Sequence, residues 1–178
     1  MDAELSELIK YKKEFGKDNI KYKEVIKKKL IANRKLLVAL DADGLDPDED
    51  PDAYVGTHLI PYYVLPDVKT EAQNLVCFET AFTEVPRYNE TRRYMQVIFY
   101  VLCDPKNIYD RNTGIARHDL IAAIIEDEFN YCNDFGYQLT LVADRPYAVD
   151  SNKYVLRTLT FEQIDTHNML RDGALYNK

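Results

Sequence analysis

Residues 93–103 (RYMQVIFYVLC) constrain the fold more than any other part of the chain. After Gln96 the run is apolar at odd and even positions alike, so both faces of a strand formed there would be hydrophobic. Strands of this kind are buried on two sides, whereas a half-exposed strand alternates apolar and polar residues. We therefore expect this run to be a central strand of a sheet that is covered on both faces.

The segments around this run predict the rest of a sheet and a helix to pack on it. Apolar patterning predicts three more strands, at residues 75–83, 137–143 and 153–161. Turn regions are expected at 84–90 and 144–152. Residues 116–130 predict an amphipathic helix, whose apolar face consists of Leu120, Ile121, Ile124, Ile125 and Phe129. The resulting order, β-β-α-β-β, favours an α+β fold with a mixed or antiparallel four-stranded sheet.

The first forty residues are predicted to be helical and to pack on this sheet. Apolar residues recur at three- and four-residue steps over 20–40, with a break at Asn33 into a second, short helix. Another short helix is expected over 3–15. At 178 residues the chain has the size of one domain. Within it we distinguish a helical segment, an acidic and extended segment, a sheet core and a C-terminal tail, at residues 1–40, 41–74, 75–162 and 163–178.

The segment at 41–53 (DADGLDPDEDPDA) has seven acidic residues, two prolines and no basic residue. This composition predicts a solvated acidic loop rather than a packed element. An EF-hand calcium loop starting at Asp41 would need Asp or Asn fifth and Gly sixth, but those positions hold Leu45 and Asp46. The stretch at 57–71 contains two further prolines and is expected to be extended at the surface, without a central-strand role.

No motif in the sequence supports catalysis or the binding of a cofactor or metal. The three histidines lack the spacing of a zinc site, and the three cysteines contain no CxxC pair. The sequence contains neither a GxSxG nucleophile motif nor a Gly-rich phosphate loop. Glu79, Glu84 and Asp104 lie on or near predicted strands, but none forms the acid-x-Lys pair expected of a metal-dependent nuclease. We therefore predict a protein that is not an enzyme and that has no cofactor.

Charge and hydropathy narrow the classes of partner. The net charge of −7 argues against a general nucleic-acid-binding protein, because such proteins present basic surfaces. The charge is compatible with a protein past which DNA slides. No apolar run approaches the roughly 18 residues of a membrane span, and the acidic N-terminus is unlike a signal peptide. We expect no membrane partner, and synthesis in the cytoplasm with reduced thiols.

Charged residues and tyrosines are the candidates for protein–protein contacts. The charged candidates flank the predicted turns or end the predicted helix: Arg87, Arg92, Arg93, Arg111, Arg117, Glu126, Asp127 and Glu128. Glu126, Asp127 and Glu128 form an acidic cluster at the C-terminal end of the predicted helix, where negative charge interacts unfavourably with the helix dipole. Either a basic partner or solvent is expected to offset this unfavourable interaction. Tyrosine combines a large apolar area with a polar tip. Contact roles, or else places in the core, are expected for Tyr62, Tyr63, Tyr88, Tyr94, Tyr109, Tyr131, Tyr147 and Tyr154.

Five motifs follow one another along the second half of the chain: CFETAFTEV, RRYMQVIFYVLCDP, TGIARHDLIAAIIEDEF, FGYQLTLVADRPY and YVLRTLTFE. Their succession resembles the small neck proteins of tailed bacteriophages, a group of tail-terminator, tail-completion and head–tail joining proteins. The similarity covers residues 20–162 and lies in the pattern of strands, helices and loops. The acidic loop at 41–53 and the tail after 165 are not part of that pattern.

The resemblance implies a structural protein of the virion neck, made in the host cytoplasm. Proteins of this group form rings, commonly hexamers, that stop polymerisation of the tail tube. The implied partners are other copies of the chain, the tail tube protein and the head connector or adaptor protein, with DNA only passing through the ring. The alternatives are a head-completion adaptor that binds the portal as a dodecamer, a metal-dependent nuclease and a monomeric protein that binds a host partner.

Overall fold

The computed structural model describes residues 18–65, 73–83, 92–148 and 154–166. In these residues a five-stranded mixed sheet carries three α-helices on one of its faces. The predicted α+β class is confirmed, with five strands in place of the expected four. The helix expected at 3–15 and the turn expected at 84–90 lie outside the described residues.

The helices form where the apolar periodicity predicts them. They are α1 (Asp18–Ala32), α2 (Arg34–Leu40) and α3 (Arg117–Phe129), and short 3-10 helices occupy Pro51–Tyr54 and Pro105–Asn107. The predicted break at Asn33 is confirmed. The Asn33 side-chain oxygen accepts the N–H of Leu36 (3.2 Å) and so caps the start of α2.

The strands place the predicted central run at the middle of the sheet. They are β1 (Leu59–Ile60), β2 (Leu75–Thr83), β3 (Arg92–Cys103), β4 (Thr140–Ala148) and β5 (Val155–Thr166). Their order is β1-β2-β3-β5-β4. β1 runs parallel to β2, and the other neighbouring pairs are antiparallel. β1 is the additional strand, and it lies at an edge.

The predicted turn at 144–152 is wrong in its first half, because β4 continues to Ala148 and pairs with β5 along that length. Two features concealed the strand. Pro146 disfavours the interior of a sheet, but an edge strand such as β4 tolerates it. A register shift between Leu141 and Ala143 marks a bulge, which breaks the apolar alternation. β5 likewise continues to Thr166, beyond the predicted end at 161.

The two faces of the sheet are covered unequally, and we call them the helix side and the open side. On the helix side Phe99 packs against the rings of Phe129 and Phe161, with centroids 4.8 and 5.8 Å apart. On the open side a smaller cluster occupies one end of the sheet and consists of Ile60, Leu75, Cys77, Leu102, Tyr154 and Leu156. The expectation that β3 is covered on both faces is therefore correct for the helix side and for only one end of the open side.

The acidic segment at 41–53 is a surface loop in which no residue is buried, in agreement with the prediction, and it makes specific contacts with the rest of the chain. Arg34 donates two hydrogen bonds to the Asp48 carboxylate (2.6 and 2.7 Å). Asp50 accepts the N–H of Ala53 (3.3 Å) and caps the first 3-10 helix, whose last residue, Tyr54, is buried. Composition could not reveal these contacts, because the arginine lies outside the segment.

Candidate functional site

The predicted arginine candidates are spread over both ends of β3. Arg87 lies outside the described residues. Arg92 and Arg93 begin β3, where their backbone pairs with Thr166 and Asp165 of β5. Arg111 is exposed in the turn region between β3 and α3, at the other end of the strand. The backbone positions of Arg92 and Arg93 are thus at the opposite end of β3 from Arg111.

Arg117 has a structural role inside the subunit. Its side chain is buried, with the residue 4% exposed, at the start of α3. Its guanidinium donates hydrogen bonds to the main-chain oxygens of Ala39 (2.7 Å) and Asn107 (3.0 Å), and it lies 3.0 Å from the Asp41 carboxylate. These contacts join the end of α2, the second 3-10 helix and α3. The expected contact with another copy is therefore corrected, because this side chain is already engaged.

Asp110 adds to the same cluster from the turn before α3. Its carboxylate accepts hydrogen bonds from the hydroxyl and the N–H of Thr113 (2.6 and 2.8 Å) and lies 3.7 Å from the Arg117 guanidinium. These hydrogen bonds, together with the nearby charge of Arg117, hold the pKa of Asp110 below its ordinary value. The carboxylate is therefore ionised at neutral pH and fixes the turn that presents Arg111.

The acidic cluster at the end of α3 divides between internal and outward roles. Glu128 accepts hydrogen bonds from Lys29 (2.9 Å) and Asn33 (3.0 Å), which tie α3 to α1. Burial alone would lower the pKa of Lys29, but hydrogen bonds to Asp134 and Glu128 outweigh it, so this pKa is raised. Asp127 is exposed and Glu126 is half-buried. Asp127 is therefore the member of the cluster that is most open to solvent.

Most of the predicted contact tyrosines lie at the surface. Those exposed are Tyr62, Tyr63, Tyr94, Tyr109, Tyr131 and Tyr147. Tyr88 lies outside the described residues. Tyr154 is 7% exposed, so an exposed contact role for it is wrong. It directly precedes β5 and packs into the open-side cluster.

Exposed apolar side chains mark both edges of the sheet. We call Tyr62, Tyr63 and Leu65, which follow β1, the β1 edge patch; Tyr62 is 56% exposed. We call Tyr137, Val142 and Tyr147, on or just before β4, the β4 edge patch; Val142 is 54% exposed. β1 and β4 are the two edge strands of the sheet, and the residues after β1 turn onto the open side, where Tyr63 packs on Tyr100 of β3 (centroids 4.5 Å apart). Grouped apolar exposure of this kind marks interaction surfaces.

A groove of about 400 Å³ opens beside the β4 edge patch. Its apolar lining comes from Tyr94, Tyr137, Val142 and Ile164, and its charged lining is Glu162, which accepts a hydrogen bond from Gln96 (3.0 Å). Sequence reasoning missed this groove for two reasons. It placed Tyr137 and Val142 in a predicted strand at 137–143, but strand spacing does not reveal that this strand lies at an edge, and it ended the next strand at 161, before Ile164.

The Gln163 side chain fixes the segment that forms one side of this groove. Its amide oxygen accepts the N–H of Tyr137 (3.2 Å), and its amide nitrogen donates to the main-chain oxygen of Phe135 (3.0 Å). Gln163 is itself buried. The segment that leads into β4 is therefore fixed to β5, and the groove is part of the folded framework.

In the parts of the chain that the structure describes, no group of three or more His, Cys, Asp or Glu side chains is placed to hold a metal ion. Within those same parts, no helix is long and apolar enough to cross a membrane. Burial raises the pKa of the Cys103 thiol to about 12, so this thiol stays protonated at neutral pH.

Comparison with known proteins gives one family. A family model described as YomW matches residues 2–163. The match spans the helices and four of the five strands completely and ends inside β5, so residues 167–178 lie beyond it. No curated protein matches the sequence.

Proposed function

Because the chain belongs to the YomW family, which is phage-derived and of the SPbeta-like prophage kind, we propose that it is a structural protein of a tailed phage particle. In this role it forms a ring at the neck, terminates the tail tube and joins it to the head connector. Its partners are other copies of itself, the tail tube protein and the head connector or adaptor protein. The role is architectural and not catalytic.

The two edge patches are the observation that supports a ring most directly. A head-to-tail assembly joins one surface of each copy to a different surface of the next, and it closes into a ring when the rotation between copies allows. The β1 edge patch follows one edge strand and the β4 edge patch lies on or just before the other, so one copy presents two separate apolar surfaces. A two-fold dimer would instead need one self-complementary patch.

Charged side chains outside the two patches would set the orientation of neighbouring copies. We assign Arg92, Arg93 and Arg111 as the basic members, and Glu126 and Asp127 as the acidic members on the next copy. Charge pairs at the rim of an interface contribute more to orientation and association rate than to affinity. Reversing charge at Arg92 or at Glu126 alone should therefore slow assembly, and reversing both together should restore it.

DNA passage is compatible with the charge of the chain. The net charge of −7 makes a ring of several copies strongly acidic. An acidic lumen repels phosphate groups and does not hold DNA in place. The protein would then contact DNA only in transit.

The test is the mass of the purified protein and of two edge variants, by size exclusion with light scattering and negative-stain imaging. We expect rings with a central hole for the native chain, of about six copies for a terminator or about twelve for a portal-binding adaptor. Tyr62→Glu and Tyr147→Glu should each stop ring closure. A mixture of these two variants should form a dimer through the one pair of patches still intact. Tyr109→Glu, at an exposed loop position away from both patches, is the matched control.

Two results together would contradict this proposal. One is that the native chain is monomeric at every protein concentration and that neither edge variant changes the measured mass. The other is failure of that monomer to cap isolated tail tubes, which provide the surface on which a neck ring would close. A monomer that does cap tubes, with capping lost in Tyr62→Glu or Tyr147→Glu, would place ring closure on the tube itself.

A further inference from the structure

The groove beside β4 is an incompletely covered part of the described fold. Tyr94, Tyr137, Val142 and Ile164 converge on it from β3, β4 and β5, and each is more than a third exposed. A space of about 400 Å³ is large enough for several side chains. Exposed apolar side chains grouped around such a space usually pack against a further segment or partner.

The backbone next to the groove is also incomplete. Among the described residues β4 pairs only with β5, so its outer edge has no strand partner, although the Asn130 side-chain oxygen accepts the N–H of Leu141 (3.0 Å). An exposed strand edge is a ready site for another extended segment. Pro146 interrupts this edge at one end, and the bulge at Val142 interrupts it nearer the groove. Short extended contacts and side-chain packing are therefore favoured over a long added strand.

The chain continues from the margin of this groove. β5 ends at Thr166, two residues after Ile164 in the groove lining. The next twelve residues, HNMLRDGALYNK at 167–178, lie outside the described residues. Fully extended, twelve residues reach about 40 Å, so every part of this tail can return to the groove.

The composition of the tail suits the groove. Met169, Leu170, Leu175 and Tyr176 supply apolar side chains for an apolar lining. Arg171 is basic and so complements the charge of Glu162, the charged residue of the lining. Asn168 and the pair Asp172–Gly173 are residues that favour chain reversal, which a segment leaving β5 needs in order to fold back.

We propose that residues 167–178 occupy the groove lined by Tyr94, Tyr137, Val142, Glu162 and Ile164 of the same copy. The tail thereby completes the open side of the sheet at the end opposite the existing cluster. It also covers two of the three residues of the β4 edge patch in the free subunit and leaves the third, Tyr147, outside the groove and open to another copy. The inference concerns that free subunit and does not depend on the neck ring.

A tryptophan placed in the groove gives a direct test, because the chain contains no tryptophan of its own. In Tyr137→Trp the single indole should emit at short wavelength, and ending the chain after Thr166 should move the emission to longer wavelength. Tyr109→Trp is the matched control, since Tyr109 is 67% exposed in the loop before α3. Its emission should not change with the same truncation. A synthetic peptide of residues 167–178 should restore the short wavelength in the truncated Tyr137→Trp protein.

A second variant guards against misfolding of the truncated chain. Leu170→Asp with Leu175→Asp in the full-length Tyr137→Trp protein should give the same shift to longer wavelength. The inference is overturned if neither the truncation nor this double substitution changes the emission. It is also overturned if the short-wavelength emission of the full-length protein is lost on dilution, because the tail of a second copy would then be the occupant.

Discussion

The helix side and the open side of the sheet are made by the same strands but differ in character. Along β3, Phe99 is fully buried on the helix side, whereas its neighbour Ile98 is only half-buried on the open side. The helix side is closed by all three helices. The open side is closed at one end, where Tyr63 stacks near Tyr100 (centroids 4.5 Å apart) and Val64 packs on the cluster. Alternation along each strand thus separates the residues that stabilise the subunit from those available for contacts.

The largest expected effect comes from truncating the core on the helix side. Phe99→Ala removes a ring that contacts two other buried rings, so the free energy of unfolding should fall by about 3–5 kcal/mol. Ile98→Ala, one residue earlier on the open side, should lower it by about 1 kcal/mol or less. Urea denaturation of both variants measures the difference. Equal losses would show that the two faces contribute alike to stability.

A smaller loss of stability is expected from removing the Arg117 guanidinium, which is buried on the helix side. Arg117→Met leaves the buried oxygens of Ala39 and Asn107 without this donor, so the free energy of unfolding should fall by about 2–3 kcal/mol. Arg111→Met is the control at an exposed arginine of the same region, and it should change stability by less than about 0.5 kcal/mol. The same denaturation measurement applies. Comparable losses at the two positions would remove the structural role assigned to Arg117.

The reactivity of two buried cysteines compares the stability of the helix side with that of the open side and needs no substitution in the core. Cys77 is buried on the open side beneath the short segment that includes Val64, which accepts a weak hydrogen bond from its sulfur (3.9 Å). Cys103 is buried on the helix side. Local opening costs less than global unfolding, so Cys77 should react with a thiol reagent at least about tenfold faster, a difference of about 1.4 kcal/mol. Peptide mapping by mass spectrometry under native conditions gives both rates, and similar rates would indicate that both faces open together.

Periodicity predicted the parts of the fold whose contacts are local in sequence. The four long strands, α3 and the break at Asn33 all follow from spacing within about ten residues, where apolar alternation and capping act. β1 was missed as a strand because two residues carry too little pattern. The second half of β4 was missed because Pro146 is typical of turns, and its acceptability depends on β4 being at an edge.

The candidate site was harder to predict, because it depends on contacts between distant parts of the chain. Arg117 and Ala39 are 78 residues apart in sequence, so nothing near Arg117 indicated that its guanidinium is buried. The edge patches depend on strand order, which places β4 outside β5 instead of beside β3. Tyr154 and Tyr147 are close in sequence, but Tyr154 precedes the inner strand β5 and is buried, whereas Tyr147 lies on the edge strand β4 and is exposed.

The twist of the sheet limits how copies can be joined. Neighbouring strands rotate by roughly 20–25°, so β1 and β4, four steps apart, differ in direction by roughly 80–100°. Suppose that β4 of one copy formed backbone hydrogen bonds with β1 of the next copy. Each copy would then be shifted along the line of strands and also rotated about that same line. Such a screw grows into an open fibre. The proline and bulge in β4, together with the brevity of β1, interrupt those hydrogen bonds and leave side chains to limit the growth.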